Sequence, residues 1–433
     1  MSNLAFDNET TAAVEAPPAA EARTTDAASV RPVPRISLQA FCETPELAAT
    51  IEAAASDRRM GRAHVKVHMG GIAAAIEFYG SAPTPNLIMV ECRQPGERLM
   101  EELDRLSQVC DPGSKVVVFG QVNDVALYRT LAHRGISEYL VTPVTEVQVI
   151  KTVADLYVEP GAEPLGRTVA FIGGKGGVGS SMVAHNVAWA VAKNFANDVV
   201  LADLDLAFGT AGLDFNQDPA QGIAEAVHAP NRVDDTFLDR LLARCSDHLS
   251  LLAAPATLDR TYDFDEGAFE PVIDVAQGSV PAVILDLPHM WSAWIRKTLI
   301  AADEIVITCE PDLANLRNAK NFIDLLKQGR QLDTLPRLVL NKAGMPKRPE
   351  IKAEEFAAAL EIEPLVVIPF DAQLFGTAAN NGQMIAETDG KSPIVASFDT
   401  IAQVVTGRAE IRRPKKGGLG SLLGKLRGGT KSE

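Results

Sequence analysis

Nine residues, GGKGGVGSS at Gly173 to Ser181, join the apolar run TVAFI to the helix-patterned stretch SSMVAHNVAWAVAKNF. No other stretch restricts the fold as much. A strand, a glycine-rich turn and a helix in direct succession open a phosphate-binding unit, whose buried strand belongs in a parallel sheet. Gly174 and Gly179 have the spacing of the G-x-x-x-x-G-K-[ST] skeleton, with Lys175, Gly176, Gly177 and Val178 between them. Glycines let backbone amides turn toward phosphate oxygens, and the helix N-terminus favours their charge. Ser181 holds the hydroxyl position that ligates Mg2+, while Ser180 replaces the lysine that reaches the outer phosphates. A hydroxyl can donate a hydrogen bond but brings no positive charge to a transferring phosphoryl group. The loop points to nucleotide binding, with hydrolysis weak or absent.

The rest of such a sheet is visible along the chain. DVVLADLD, LSLLAAP, AVILDLP, EIVITCEP, RLVLNKAG and LVVIPFD each read as a buried parallel strand. Stretches of helical period, such as DLANLRNAKNFIDLLKQG, lie between them. With TVAFI these strands predict one large doubly wound domain over 167–407. Upstream, RISLQAF, NLIMVEC, KVVVFG and SEYLV alternate with ERLMEELDRLSQV and DVALYRTLAHRG, which predicts a smaller parallel α/β domain over 35–155. LYVEPGAEPLG, with two prolines and two glycines, is the expected linker over 156–166. Residues 1–34, rich in Ala, Thr, Pro and Glu, are expected to be a disordered leader. Residues 408–433 form a basic Gly/Leu tail with eight Lys or Arg against two Glu.

A net charge of −15 argues against a protein that coats nucleic acid. Five scattered cysteines without a CxxC pair read as reduced core thiols. No run approaches the length of a transmembrane helix, and the N-terminus lacks a signal-peptide pattern, so a cytoplasmic protein is expected.

Further positions bear on the loop. Asp203 and Asp205 stand two apart near a strand end, where such a pair either caps the next turn or serves a metal. Asp286 closes the apolar strand AVILD; after a phosphate loop it is the expected carboxylate that holds a Mg2+-bound water. Asn341 ends LVLN, where an amide can pair with the adenine edge or cap the following turn. His289, with no nucleophile beside it, reads as structural or surface-lying.

KGGVG from Lys175, followed by DLDLAFG from Asp203, resembles the deviant phosphate-loop ATPases of the MinD/ParA group. The serine at 180, with GGVGSSMVAHNVAWA and the domain before it, is similar to the CpaE/TadZ branch of tight-adherence (Flp-type) pilus assembly proteins. The resemblance implies ATP and Mg2+ as cofactors and an ATP-favoured homodimer. It gives Lys175 the role of reaching across that dimer to the partner's nucleotide. It places Asp205 near Mg2+ and the attacking water, with Asp203 supporting, and favours the adenine edge for Asn341. Asp371 and Asn380 are implied to lie near base and ribose. The implied function is a localisation and assembly factor for a pilus secretion machine, meeting its components at the inner membrane or a cell pole. The alternatives are a partition-type ATPase, for which the large domain shows no basic cluster to hold DNA, and a regulatory protein with a vestigial site.

The smaller domain resembles a receiver (flavodoxin-like) domain that has lost its chemistry. Glu91 stands in the place of the phosphorylated aspartate, Gly120 in that of Ser/Thr, and Thr142 in that of the lysine. Only Glu43 remains of the acidic metal-binding pair. A docking or dimerisation surface is expected, and no phosphotransfer partner. In the tail, Leu419, Leu422, Leu423 and Leu426 share one helical face, ringed by Lys415, Lys416, Lys425 and Arg427. That pattern suits contact with anionic lipid, docking to a membrane-embedded partner, or a merely solubilising tail.

Overall fold

The computed structural model describes residues 30–94, 96–158, 165–258 and 260–408. Most of the expected leader, the centre of the linker and the tail beyond Arg408 lie outside the described residues. Two separate sheets organise the chain. In the first, β1 (Ser37–Cys42), β2 (His64–Met69), β3 (Leu87–Glu91), β4 (Lys115–Gly120) and β5 (Glu138–Val141) run parallel in the order β2-β1-β3-β4-β5. This is the order of flavodoxin-like sheets. β3 sits centrally and is buried along its whole length, which is why NLIMVEC is a continuous apolar run. Helices cover both faces, around Leu38, Ile51 and Val153 on one and Phe41, Leu103 and Leu131 on the other. β2, HVKVHM, is an edge strand with exposed and half-exposed residues, so it carries no such run. The expected leader boundary moves. Val30 and Val33 are buried in the first core, and the Val33 amide donates to the Arg59 carbonyl at 2.7 Å. Two apolar residues are enough to dock that short arm.

The second sheet holds eight strands. They are β6 (Arg167–Gly173), β7 (Val199–Asp203), β8 (Ala243–Arg244), β9 (Leu249–Leu252), β10 (Ala282–Asp286), β11 (Glu304–Cys309), β12 (Arg337–Ala343) and β13 (Pro364–Pro369). Their order is β13-β12-β11-β6-β10-β7-β9-β8, parallel except for the short β8. All seven strands read from the sequence are present; β8, two residues long, was too short to show a pattern. β6 lies between β11 and β10, so its C-terminal end opens where connections leave to both sides. Ligands bind at that crevice in open α/β sheets.

The two sheet units touch through charged groups. Arg58 donates to Asp333 at 2.7 Å and to Asp303 at 3.2 Å, and Arg59 is held by Asp57 and Asp333. Asp303 also accepts from the Thr168 amide and hydroxyl at the start of β6. These side chains lie at the end of the sheet opposite the glycine loop.

Candidate nucleotide site

The loop leaves β6 at Gly173 and enters the helix Ser180–Phe195. Gly177 and Gly179 adopt φ of +81° and +86°, a region that side-chain-bearing residues rarely occupy. Gly174 is set by close approach. A Cβ there would lie 2.7 Å from Cys309 Sγ and 3.0 Å from Asn315 Oδ1. Apart from the turn at Gly176 and Gly177, no backbone amide from Lys175 to Gly179 makes a hydrogen bond to a protein acceptor among the described residues. Those amides, with the first turn of a sixteen-residue helix, form an anion cradle.

Two buried oxygens beside it also lack partners, Ser180 Oγ and Asp286 Oδ1. Buried polar atoms without partners are uncommon, and these two belong to residues whose sequence positions suit contact with phosphate and with a metal-bound water. The residues present therefore fit a nucleotide with Mg2+. No group of three or more His, Cys, Asp or Glu gathers as a metal cage among the described residues.

The sheet brings the expected carboxylates together. Asp286 and Asp203 are register partners at the ends of β10 and β7. Asp203 is fully buried, and its oxygens accept from the Asp205 and Ala211 amides at 3.2 and 3.1 Å. Burial, then the charge of Asp286, pushes its pKa up to about 7, against the pull of His185 and those amides. Asp205 is half-buried and caps the next turn by accepting from the Phe208 amide at 3.0 Å; burial raises its pKa too. The turn-capping contact is made by Asp205, which is also the more open carboxylate, while Asp203 is held by backbone amides.

Lys175 is exposed at the loop's outer side, its ammonium 3.3 Å from Asp312 Oδ2. Burial would raise the Asp312 carboxyl, but the Asn315 amide and Lys175 hold it below the usual range. Ser181 is half-buried at the helix start.

Asn341 lies in β12 against the loop. It is buried, its Nδ2 donates to the Val178 carbonyl at 2.8 Å, and its Oδ1 accepts from the Lys342 amide at 2.9 Å. These contacts brace the loop and cap its own turn, and they use one of the amide's two N–H donors and one of its two acceptor lone pairs. Asp371 caps the helix Ala372–Asn381, and Asn380 is exposed on that helix. His289 Nδ1 lies 3.0 Å from the Gly173 carbonyl, a structural contact.

Sequence reading missed two residues. Lys342 donates to the Gly177 carbonyl and pairs with Glu310 at 3.0 Å, adding a cation beside the loop. His185 lies inside, fully buried, with Nδ1 2.8 Å from Asp214 Oδ2 and Nε2 3.2 Å from Asp286 Oδ2. Burial disfavours its charge, yet hydrogen bonds to both carboxylates and their charges raise its pKa to about 10. The one available signal was a histidine on the apolar face of the loop helix, among Val183, Ala184, Val187 and Ala188.

In the first unit, Glu91 is buried and saturated. Its Oε2 accepts from the Glu43 and Thr44 amides at 2.7 and 2.8 Å, and the Thr44 hydroxyl donates to Oε1 at 2.9 Å. Replacing Glu91 with Ala is expected to cost about 2 kcal/mol in urea unfolding, because two loop amides lose a charged acceptor.

No family model matches the chain. The septum site-determining protein MinD of Bacillus subtilis (strain 168) is 25% identical over 260 residues, 57% of this chain and 91% of that protein. A ParA family ATPase from Chlorobium tepidum TLS shares the fold, with a TM-score of 0.50 and 24% identity over 55% of this chain and 98% of that one. The pilus assembly protein CpaE from Caulobacter crescentus CB15 is 54% identical, covering 98% of that solved chain and 30% of this one, with a TM-score of 0.29.

Proposed function

We propose that this chain, a member of the MinD/ParA family of deviant P-loop ATPases, binds ATP with Mg2+ and acts as a dimerising switch that localises other proteins. One observation carries the reading: a glycine loop whose amides are largely unengaged enters a long helix, with Ser180 Oγ and Asp286 Oδ1 buried and without partners. Gly174 to Ser181 would hold the phosphates, while Ser181, Asp205 and Asp286 would hold the metal and its waters. When bound, Mg2+ neutralises phosphate oxygens and orders their waters. Because Ser180 brings no charge, turnover is slow or absent, and neutralisation falls to Lys175 across a dimer. Swinging to a partner's phosphate costs Lys175 only a half-exposed ion pair with Asp312, worth little in water.

Light scattering tests this. The wild-type chain is expected to double its mass with ATP and Mg2+, and Lys175→Ala to remain monomeric under the same conditions. A wild type that stays monomeric while turning over rapidly would sink the switch.

A finer reading is assembly of a tight-adherence pilus secretion machine at the inner membrane, with the first unit as a receiver-like docking domain. Ser180 in the loop and the saturated Glu91 favour it. A Glu91 whose oxygens are already engaged has no reason to take a phosphoryl group. Incubation with a small acyl phosphate, read by intact-mass spectrometry, is expected to add none. The partition reading rests on the MinD and ParA likeness and requires ATP-dependent binding to duplex DNA of arbitrary sequence. Fluorescence anisotropy separates the two: a salt-sensitive rise with ATP supports partition, and a flat titration supports assembly.

A further inference from the structure

A loop without its second lysine leaves Asp203, Asp205 and Asp286 clustered with no cation at position 180. On the same helix, His185 lies with each ring nitrogen against a carboxylate, Asp214 at 2.8 Å and Asp286 at 3.2 Å. We propose that His185 is a positioning residue of the nucleotide–magnesium site, aligning Asp286 and tying it to the segment that carries Asp205. The assignment rests on the nucleotide reading above and adds a residue to it.

Three contacts support it. First, His185 engages Asp286 Oδ2 and leaves Oδ1 as the oxygen without a partner, so the ring decides which oxygen remains for a metal-bound water. Second, Asp214 ends the short helix Ala211–Asp214, whose first amide donates to Asp203 Oδ2 at 3.1 Å. Third, Asp203 and Asp286 are neighbours in sheet register. Asp203, Ala211, Asp214, His185 and Asp286 thus form a closed circuit of backbone and side chains around the turn that bears Asp205. A movement of that turn pulls on Asp214 and, through the imidazole, on Asp286. Groups that hydrogen-bond to a metal's ligands orient them without touching the metal, and their loss weakens metal binding about 10- to 100-fold.

The experiment is equilibrium binding of a fluorescent ATP analogue to full-length wild type, His185→Gln and Asp214→Asn, each with Mg2+ and with EDTA. For His185→Gln, affinity in EDTA should stay within about twofold, while the gain in affinity from Mg2+ should shrink about tenfold. Asp214→Asn leaves the contact with Asp286 in place and should show a smaller loss in the same direction. It also carries the test if His185→Gln does not fold. An unchanged gain from Mg2+ in the folded variants, or equal losses with and without Mg2+, would overturn the assignment and leave His185 a packing residue. A wild type that binds the analogue under neither condition would overturn the nucleotide reading, and this assignment with it.

Discussion

His185 is expected to withdraw on the order of 4 kcal/mol of stability from the wild-type chain as pH rises from about 6.5 to about 10, a contribution that His185→Gln lacks. The sign follows from the direction of the shift. His185 has a folded pKa of about 10 against an ordinary 6.5, so the folded state binds the proton more tightly. Its stabilisation is complete below pH 6.5 and is lost as pH climbs through 10. Asp203, raised from 3.8 to about 7, acts in the same direction at lower pH, and buried thiols such as Cys42, Cys245 and Cys309, raised from 9.0 to about 12, act in it above about pH 9, so the slope that belongs chiefly to His185 lies between about pH 7 and about pH 9. Near neutral pH, His185→Gln should be much the weaker protein, because Asp214 and Asp286 stay buried without a cation. Urea unfolding of both proteins across this range is the measurement. Curves that converge toward alkaline pH are expected; parallel curves would show that the imidazole holds no excess charge in the folded chain.

Gly179→Glu is expected to weaken binding of a fluorescent ATP analogue by at least about 100-fold, through lost charge-assisted amide contacts. Gly179 combines a φ of +86° with a Cβ position only 2.7 Å from Asn341 Nδ2. Any side chain there strains the turn and pushes on the amide that braces Val178. A glutamate also brings negative charge to a cradle built for phosphate. Gly177→Ala is the gentler comparison. Its φ of +81° is strained, but a Cβ would meet nothing within 4 Å, so a loss of about 1 kcal/mol is expected. Equal, negligible binding by wild type and Gly179→Glu would mark the site as vestigial.

How much of this was legible beforehand depended on the range of the interactions involved. The seven long strands of the large sheet were readable because a parallel strand covered on both faces must be apolar throughout, as in AVILD and EIVITC. The loop was readable because its conformation is local: glycines at fixed spacing, one strand before and one helix after. β2 was not, since an edge strand mixes His and Lys with Val and has no continuous run. The docked arm at Val30 and Val33 was hidden inside a polar, proline-bearing stretch whose composition outweighed two apolar residues.

The electrostatics of the site had no local signature at all. His185 meets Asp214 from 29 residues away and Asp286 from 101, and Asn341 reaches Val178 across 163. Glu91 accepts from amides 47 and 48 residues back. By itself the sequence determined which long apolar segments form strands and where the chain turns on glycine ahead of a helix, because these follow from spacing and side-chain type. Only the tertiary structure decided that a helix histidine is clamped between two carboxylates, that an asparagine braces the loop, and that a glutamate is already saturated. Those outcomes depend on the register of β10 against β7 and on the seating of one helix. Such long-range packing decides which buried charges meet and so which groups keep or lose their protons.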